Sequence, residues 1–129
     1  MTMNLHPKQI EAVLNLPGPE RYKHFVKQVT DSEKVWGLYK DGWALAATSD
    51  GTEVFPVWPA KDYAALCARD EWADFEPSEF TLEEFMSELL PKLEVRGVLP
   101  GIFYTPKDRG VTPKISQLLT DLKKELENY

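Results

Sequence analysis

A chain of 129 residues with 43% hydrophobic and 28% charged residues has the make-up of one folded domain, residues 1–129, able to bury a core without covalent staples. Its 21 acidic and 15 basic residues leave a net charge of −6, without the basic footprint that binding to nucleic acid requires. No apolar run approaches the ~20 residues that span a bilayer, and the opening MTMNLHPKQIEAV lacks the basic-then-apolar order of a signal peptide, so no membrane role and a cytoplasmic location are expected.

Residues 6–15 carry Ile10, Val13 and Leu14 at helical spacing, with Pro7 in the first turn. The run Leu16-Pro17-Gly18-Pro19 breaks that helix. A second is predicted from Pro19 to Val29, with Tyr22, Phe25, Val26 and Val29 on one stripe. Residues 35–59 then hold three apolar runs parted by Asp41-Gly42 and Asp50-Gly51. Asp-Gly between apolar runs is a strong hairpin signal, because a type I′ turn needs positive φ at both central residues. Two such turns predict a three-stranded antiparallel meander.

With two-residue turns, Leu38 faces Leu45, Trp36 faces Ala47, Ala47 faces Val54 and Leu45 faces Pro56. One face then carries Trp36, Leu38, Trp43, Leu45, Ala47 and Val54, and is expected to be buried. The other carries Val35, Gly37, Tyr39, Ala44, Ala46, Phe55 and Val57, a shallow surface open to a helix or a partner. Pro56-Val57-Trp58-Pro59 ends the ribbon. Trp58, held between two prolines, is either a plug in the core or a rigid anchor for a partner.

A third helix is expected over residues 61–71, with Tyr63, Leu66 and Cys67 inward. The segment from Trp72 to Phe80 is polar apart from Trp72, Phe75 and Phe80, with a short strand expected near Glu79–Thr81. Thr81-Leu82-Glu83-Glu84 fits a capping box opening a helix that Pro91 kinks or stops. Gly97–Thr105 reads as a fourth strand, followed by a charged loop, Pro106–Gly110. Thr112-Pro113 is expected to open a last helix with Ile115, Leu118, Leu119, Leu122 and Leu126 inward. Helices and strands do not alternate regularly, so the predicted class is α+β: an antiparallel meander sheet of about four strands with helices packed mainly on one face.

The Pro56-Val57-Trp58-Pro59 run followed by a helix with Ala64-Ala65, together with Arg21-Tyr22, Phe25, Val29 and Trp36-Gly37-Leu38, resembles a bacterial family of short stand-alone proteins known only as a domain of unknown function. The resemblance spans residues from about 6 to 105 and implies a bacterial cytosolic origin, with no activity, cofactor or catalytic residue attached. At the level of architecture the chain is also similar to small α+β modules of toxin immunity and secretion.

Nucleophilic catalysis needs a nucleophile, a base and an orienting group that meet. Cys67 is the single cysteine, so no intramolecular disulfide forms, and it reads as a small buried hydrophobe. His6 and His24 match no zinc spacing with it. Glycines stand singly, without a phosphate-binding loop. No cofactor is expected.

The acidic stretch Asp70, Glu71, Asp74, Glu76 and Glu79 around Trp72 and Phe75 suits a basic partner protein, a hard divalent cation or plain solvation. The expected role is therefore a non-enzymatic interaction or regulatory module contacting a partner through Trp58, Trp72, Asp74, Phe75 and Glu76. The alternatives are a toxin-immunity-like protein, and a small enzyme or metabolite-binding protein whose pocket is lined by Arg21, Tyr22 and Tyr39. A homodimer through the sheet edge or the last helix is a further expectation.

Overall fold

In the computed structural model, which describes residues 6–129, the N-terminal apolar spacing becomes two helices, α1 (Pro7–Leu14) and α2 (Gly18–Ser32). His6 caps α1, its Nδ1 accepting the Lys8 N–H at 3.1 Å. Along α2, Phe25, Val26 and Val29 turn inward together with Arg21 and Thr30. Glu33, left-handed at φ +59°, ends the helix.

The strands β1 (Lys34–Tyr39), β2 (Ala46–Ala47) and β3 (Glu53–Val57) follow, and here the predicted meander needs correction. Both reversals fall at the Asp-Gly pairs, but each is one residue longer than a two-residue turn. Tyr39 bridges Trp43, and the Thr48 N–H reaches the Thr52 carbonyl at 2.8 Å. The second loop closes with the Gly51 N–H on the Thr48 carbonyl at 3.0 Å and Gly51 at φ +89°, a turn finished by a left-handed glycine. In the first, Asp41 itself is left-handed at φ +56°.

The extra residue moves the register by one, so that Ala46 rather than Ala47 faces Val54. Such a slip turns every side chain over. Leu45 and Ala47, expected inside, are exposed, and Ala44, expected on the open face, is buried.

The first strand also chooses a different partner. All six residues of β1 pair antiparallel with β4 (Glu76–Thr81), from Lys34 opposite Thr81 to Tyr39 opposite Glu76. β1 lies beside β3 but is bonded to that segment only just past the end of β3, where Trp36 and Trp58 exchange N–H···O bonds of 2.9 and 2.8 Å. Between that bridge and the β2 pairs lies Pro56, which has no N–H to offer on this edge. On its other edge β3 runs parallel to β5 (Leu99–Ile102), with Val54 opposite Leu99 and Val57 opposite Ile102. The four-strand antiparallel sheet is thus replaced by two sheets, β1–β4 and the mixed β2–β3–β5, while the α+β class stands. Val54, Phe55, Pro56, Val57 and Trp58 are all buried, so both faces of β3 are covered.

The parallel pair requires a long crossover. It contains α3 (Lys61–Cys67), a 3₁₀ turn at Asp70–Trp72, β4, and a helical rod made of α4 (Leu82–Glu84), a π turn (Phe85–Leu89) and α5 (Leu90–Arg96). The capping box forms as predicted: Thr81 Oγ1 accepts the Glu84 N–H at 3.0 Å, and the Glu84 carboxylate accepts the Thr81 N–H at 2.9 Å. Pro91 does not stop the rod. The π turn, with the Leu90 N–H on the Phe85 carbonyl, shifts the ladder just before the proline, and the helix continues to Arg96. The last helix, α6 (Ile115–Leu126), opens at Ile115 after Lys114 rather than at Thr112-Pro113. It packs on α2, and Tyr22 donates its hydroxyl to Asp121 at 2.5 Å.

Candidate functional site

The contact candidates separate by burial. Trp58 has no exposed surface: its ring lies edge-on to Trp72 at 6.4 Å, and its Nε1–H donates to the Tyr104 carbonyl at 2.9 Å. It is the plug and not the anchor, because both of its flanking residues lie inside the core. Trp72 is buried and Phe75 half-buried, which leaves Asp74 and Glu76 as the exposed members of the set. Asp74 faces Lys40 at 3.3 Å and Glu79 faces Lys34 at 3.2 Å, both as solvated surface pairs of small energetic weight.

Arg21, Tyr22 and Tyr39 do not converge. Tyr22 joins α2 to α6, and its hydroxyl is held well above the usual phenol range by burial and then by the hydrogen bond to Asp121. Tyr39 is exposed on β1 beside Trp43, ring centres 5.2 Å apart. Tyr22 lines a cleft of about 470 Å³ against α6, and Arg21 lines a separate, larger one.

That cleft, of about 890 Å³, lies between α1, the start of α2 and the loop from Thr105 to Arg109. Ile10, Leu14, Leu16, Leu66 and Pro106 give it apolar walls. The loop is set there by a chain of backbone constraints. The Phe103 N–H donates to the Val57 carbonyl at 3.0 Å, and Ile102 exchanges bonds of 2.7 and 3.0 Å with Val111. Phe103, fully buried, takes φ +64°, an unusual conformation for a bulky residue that turns the chain out of β5. Thr105 then folds the loop on itself, its Oγ1 accepting the Asp108 N–H at 2.9 Å while its own N–H donates to the Asp108 carbonyl at 2.9 Å. Arg109 fastens the far side by donating to the Ala47 carbonyl at 3.1 Å. A smaller cleft, of about 670 Å³, lies on the other flank of the same loop, against Leu45, Trp72 and Tyr104.

Arg21 is the unusual group in the larger cleft. It is 4% exposed, and its Nη1 donates to the Leu16 carbonyl at 2.7 Å. The nearest carboxylate, Asp108, stands 3.8 Å from Nη1 and is itself largely exposed. The buried Nε has no hydrogen-bond partner among the described residues. An unsatisfied buried donor on a charged group costs about 1–3 kcal/mol or more. A buried guanidinium with one firm bond and a distant counter-charge is suited to accept an anion.

Cys67 points away from nucleophilic chemistry. Burial pushes its thiol up to about 11, against the opposing influence of Trp58 and Arg69, and Sγ–H donates to the Tyr104 carbonyl at 3.4 Å. His24, held below its usual range by burial and then by Lys27, packs against Tyr63 and Phe103. The thiol's folded value lies above its ordinary 9.0, so its contribution to stability is complete below about pH 9 and is lost as pH rises through about 11. At pH 8 iodoacetamide is accordingly expected to modify Cys67 at least about tenfold more slowly in native protein than in denaturant. Equal rates would show that the thiol is neither buried nor held above its ordinary value.

A family model described as "Protein of unknown function (DUF2750)" matches residues 22–122. The match begins later than the resemblance read from the residues and runs on through most of α6. It takes in the sheets and the 105–109 loop and opens just after Arg21. No curated protein and no solved structure matches the chain.

Proposed function

Since the chain belongs to the DUF2750 family, which has no assigned activity, we propose a role from its own geometry: a non-catalytic binding protein that holds a small, largely apolar ligand in the cleft between α1, α2 and the 105–109 loop. The observation that carries this reading is the cleft itself, about 890 Å³, in the size range of ligand sites, with apolar walls and one buried cation. Thiol and imidazole are occupied elsewhere in packing and hydrogen bonding, which supports binding rather than turnover.

The test is amide-resolved NMR with a fragment library of acids, bases and neutral compounds. Hits are expected to move the Leu16, Gly18, Lys107 and Asp108 amides. Leu66 is exposed at the cleft, so Leu66→Asp is expected to leave the fold intact and weaken those hits about tenfold or more. Hits that map only elsewhere would sink the reading.

A second reading keeps a basic protein as partner, docked on the acidic edge of Asp70, Glu71, Asp74 and Glu76. Its support is the exposure of all four carboxylates on one continuous stretch. Such an association weakens steeply as salt is raised.

A further inference from the structure

We infer that the N-terminal end of α2 and Arg21 together form a carboxylate site, so that the cleft takes an apolar molecule bearing a single carboxylate. This rests on the ligand cleft proposed above and names what the ligand must carry. Two independent features converge there. The first is a helix start: α2 spans fifteen residues, its N-cap Pro17 provides no side-chain hydrogen bond, and both Pro17 and Gly18 line the cleft. Its first backbone bond is Arg21 N–H to the Pro17 carbonyl at 2.9 Å, so the Gly18 and Glu20 N–H groups precede the ladder, and Pro19 has none. The positive end of a helix macrodipole is directed at that point.

The second feature is Arg21, one turn into the same helix. Its Nη1 is committed to Leu16 O at 2.7 Å, and its buried Nε has no partner among the described residues. A carboxylate matches an arginine edge in shape and charge.

The charge around the cleft selects a monoanion. Arg21, Lys107 and Arg109 line it against Glu11 and Asp108, a surplus of one positive charge among the lining residues, and the Glu20 carboxylate in the first turn of α2 offsets even that. A phosphate dianion would meet two carboxylates with too little to offset it. The walls of Ile10, Leu14 and Leu66 require the rest of the ligand to be apolar. A free alkyl acid and the C-terminus of an apolar peptide share this chemistry.

The full-length protein is titrated by amide-resolved NMR with octanoate, 1-octanol, octyl phosphate, and an apolar tetrapeptide in free-acid and amidated forms. Octanoate is expected to shift Gly18 and Glu20 and to bind at least tenfold more tightly than octanol or octyl phosphate. Tighter binding of the free-acid peptide than of octanoate, with loss on amidation, supports the same site and identifies a peptide end as the source. Arg21→Gln is expected to remove the preference for acid over alcohol; the comparison in the unaltered protein stands even if that variant unfolds. Equal binding of octanoate and octanol, a preference for the phosphate, or shifts confined to other surfaces overturns the carboxylate site. If library hits still reach the cleft, its role as a ligand site survives; if none do, that reading fails as well.

Discussion

Trp58→Ala is expected to lower stability by about 3–5 kcal/mol, a large share of what holds a small domain together. The side chain has no exposed surface, so its removal leaves a cavity that the surrounding backbone is poorly placed to fill. Trp36 and Trp58 fix that backbone from one side through their paired bonds of 2.9 and 2.8 Å, and Val57 is fixed from the other by Phe103 at 3.0 Å. The indole also stands edge-on to Trp72 at 6.4 Å, and Trp72 in turn lies 6.3 Å from Tyr104, so the deletion strips packing from Trp72 and loosens the support of its neighbour. Its Nε1–H is the 2.9 Å donor to the Tyr104 carbonyl, which keeps only the longer 3.4 Å bond from Cys67. Trp58→Phe separates the two effects: it retains most of the ring and loses the donor, for an expected cost of about 1–2 kcal/mol. Urea denaturation of the three proteins measures both. A Trp58→Ala variant within about 1 kcal/mol of the parent would show that the ring does not fill the core.

What could be read from the residues was local. The helices announced themselves through neighbours three and four apart, and Phe25, Val26 and Val29 on α2 and Ile115, Leu118 and Leu122 on α6 turn inward as their spacing required. The capping box at Thr81 needs only residues 81–84, and it forms. Both Asp-Gly pairs reverse the chain for the same reason. How many residues each loop holds is a finer matter, decided by Asp41 at φ +56° and Gly51 at φ +89°. That single residue inverted the faces of Leu45, Ala44 and Ala47.

Only the end of β4, near Glu79–Thr81, is expected as a strand from the residues, because its first half does not look like one. Trp36 directs its N–H and C=O to Trp58, so Val35, Gly37 and Tyr39 are the β1 residues bonded to β4. Pro77, opposite Leu38, therefore turns its ring nitrogen to the open edge, where no donor is needed. Glu76 and Glu79 on the same strand are exposed, and charge along an open edge discourages a second chain from pairing. A polar, proline-bearing segment is what such an edge requires, and it reads as loop in sequence. The cleft was illegible for a different reason. Its halves, Leu16–Gly18 and Thr105–Arg109, meet only because β5 lies parallel to β3 and Phe103 turns the chain back across its end. Arg21 was visible as a candidate, but its companions were not.

Gly110→Ala is the second large effect expected, and it acts on that turn. A β-carbon at Gly110 would overlap the Ile102 carbonyl group, and would come within 2.7 Å of the Tyr104 ring. Gly110 is not among the residues with positive φ, so the cost comes from collision and not from an unfavourable backbone angle. Ile102 is unable to retreat, because it is paired with Val57 on one side and exchanges bonds of 2.7 and 3.0 Å with Val111 on the other. The strand carrying the new methyl group must move instead, which opens the Ile102–Val111 bridge and frees the 105–109 loop. The expected loss is about 1–3 kcal/mol, accompanied by faster hydrogen exchange at the Ile102 and Val111 amides and by weakened ligand shifts in the cleft. Gly97→Ala is the control: its β-carbon meets nothing within 4 Å, but Gly97 sits at φ +71°, so backbone strain of about 1 kcal/mol is expected with the bridge left closed. Should Gly110→Ala leave exchange at Ile102 and Val111 unchanged, the loop is not held by this bridge, and the cleft must owe its shape to Arg109 and Thr105 alone.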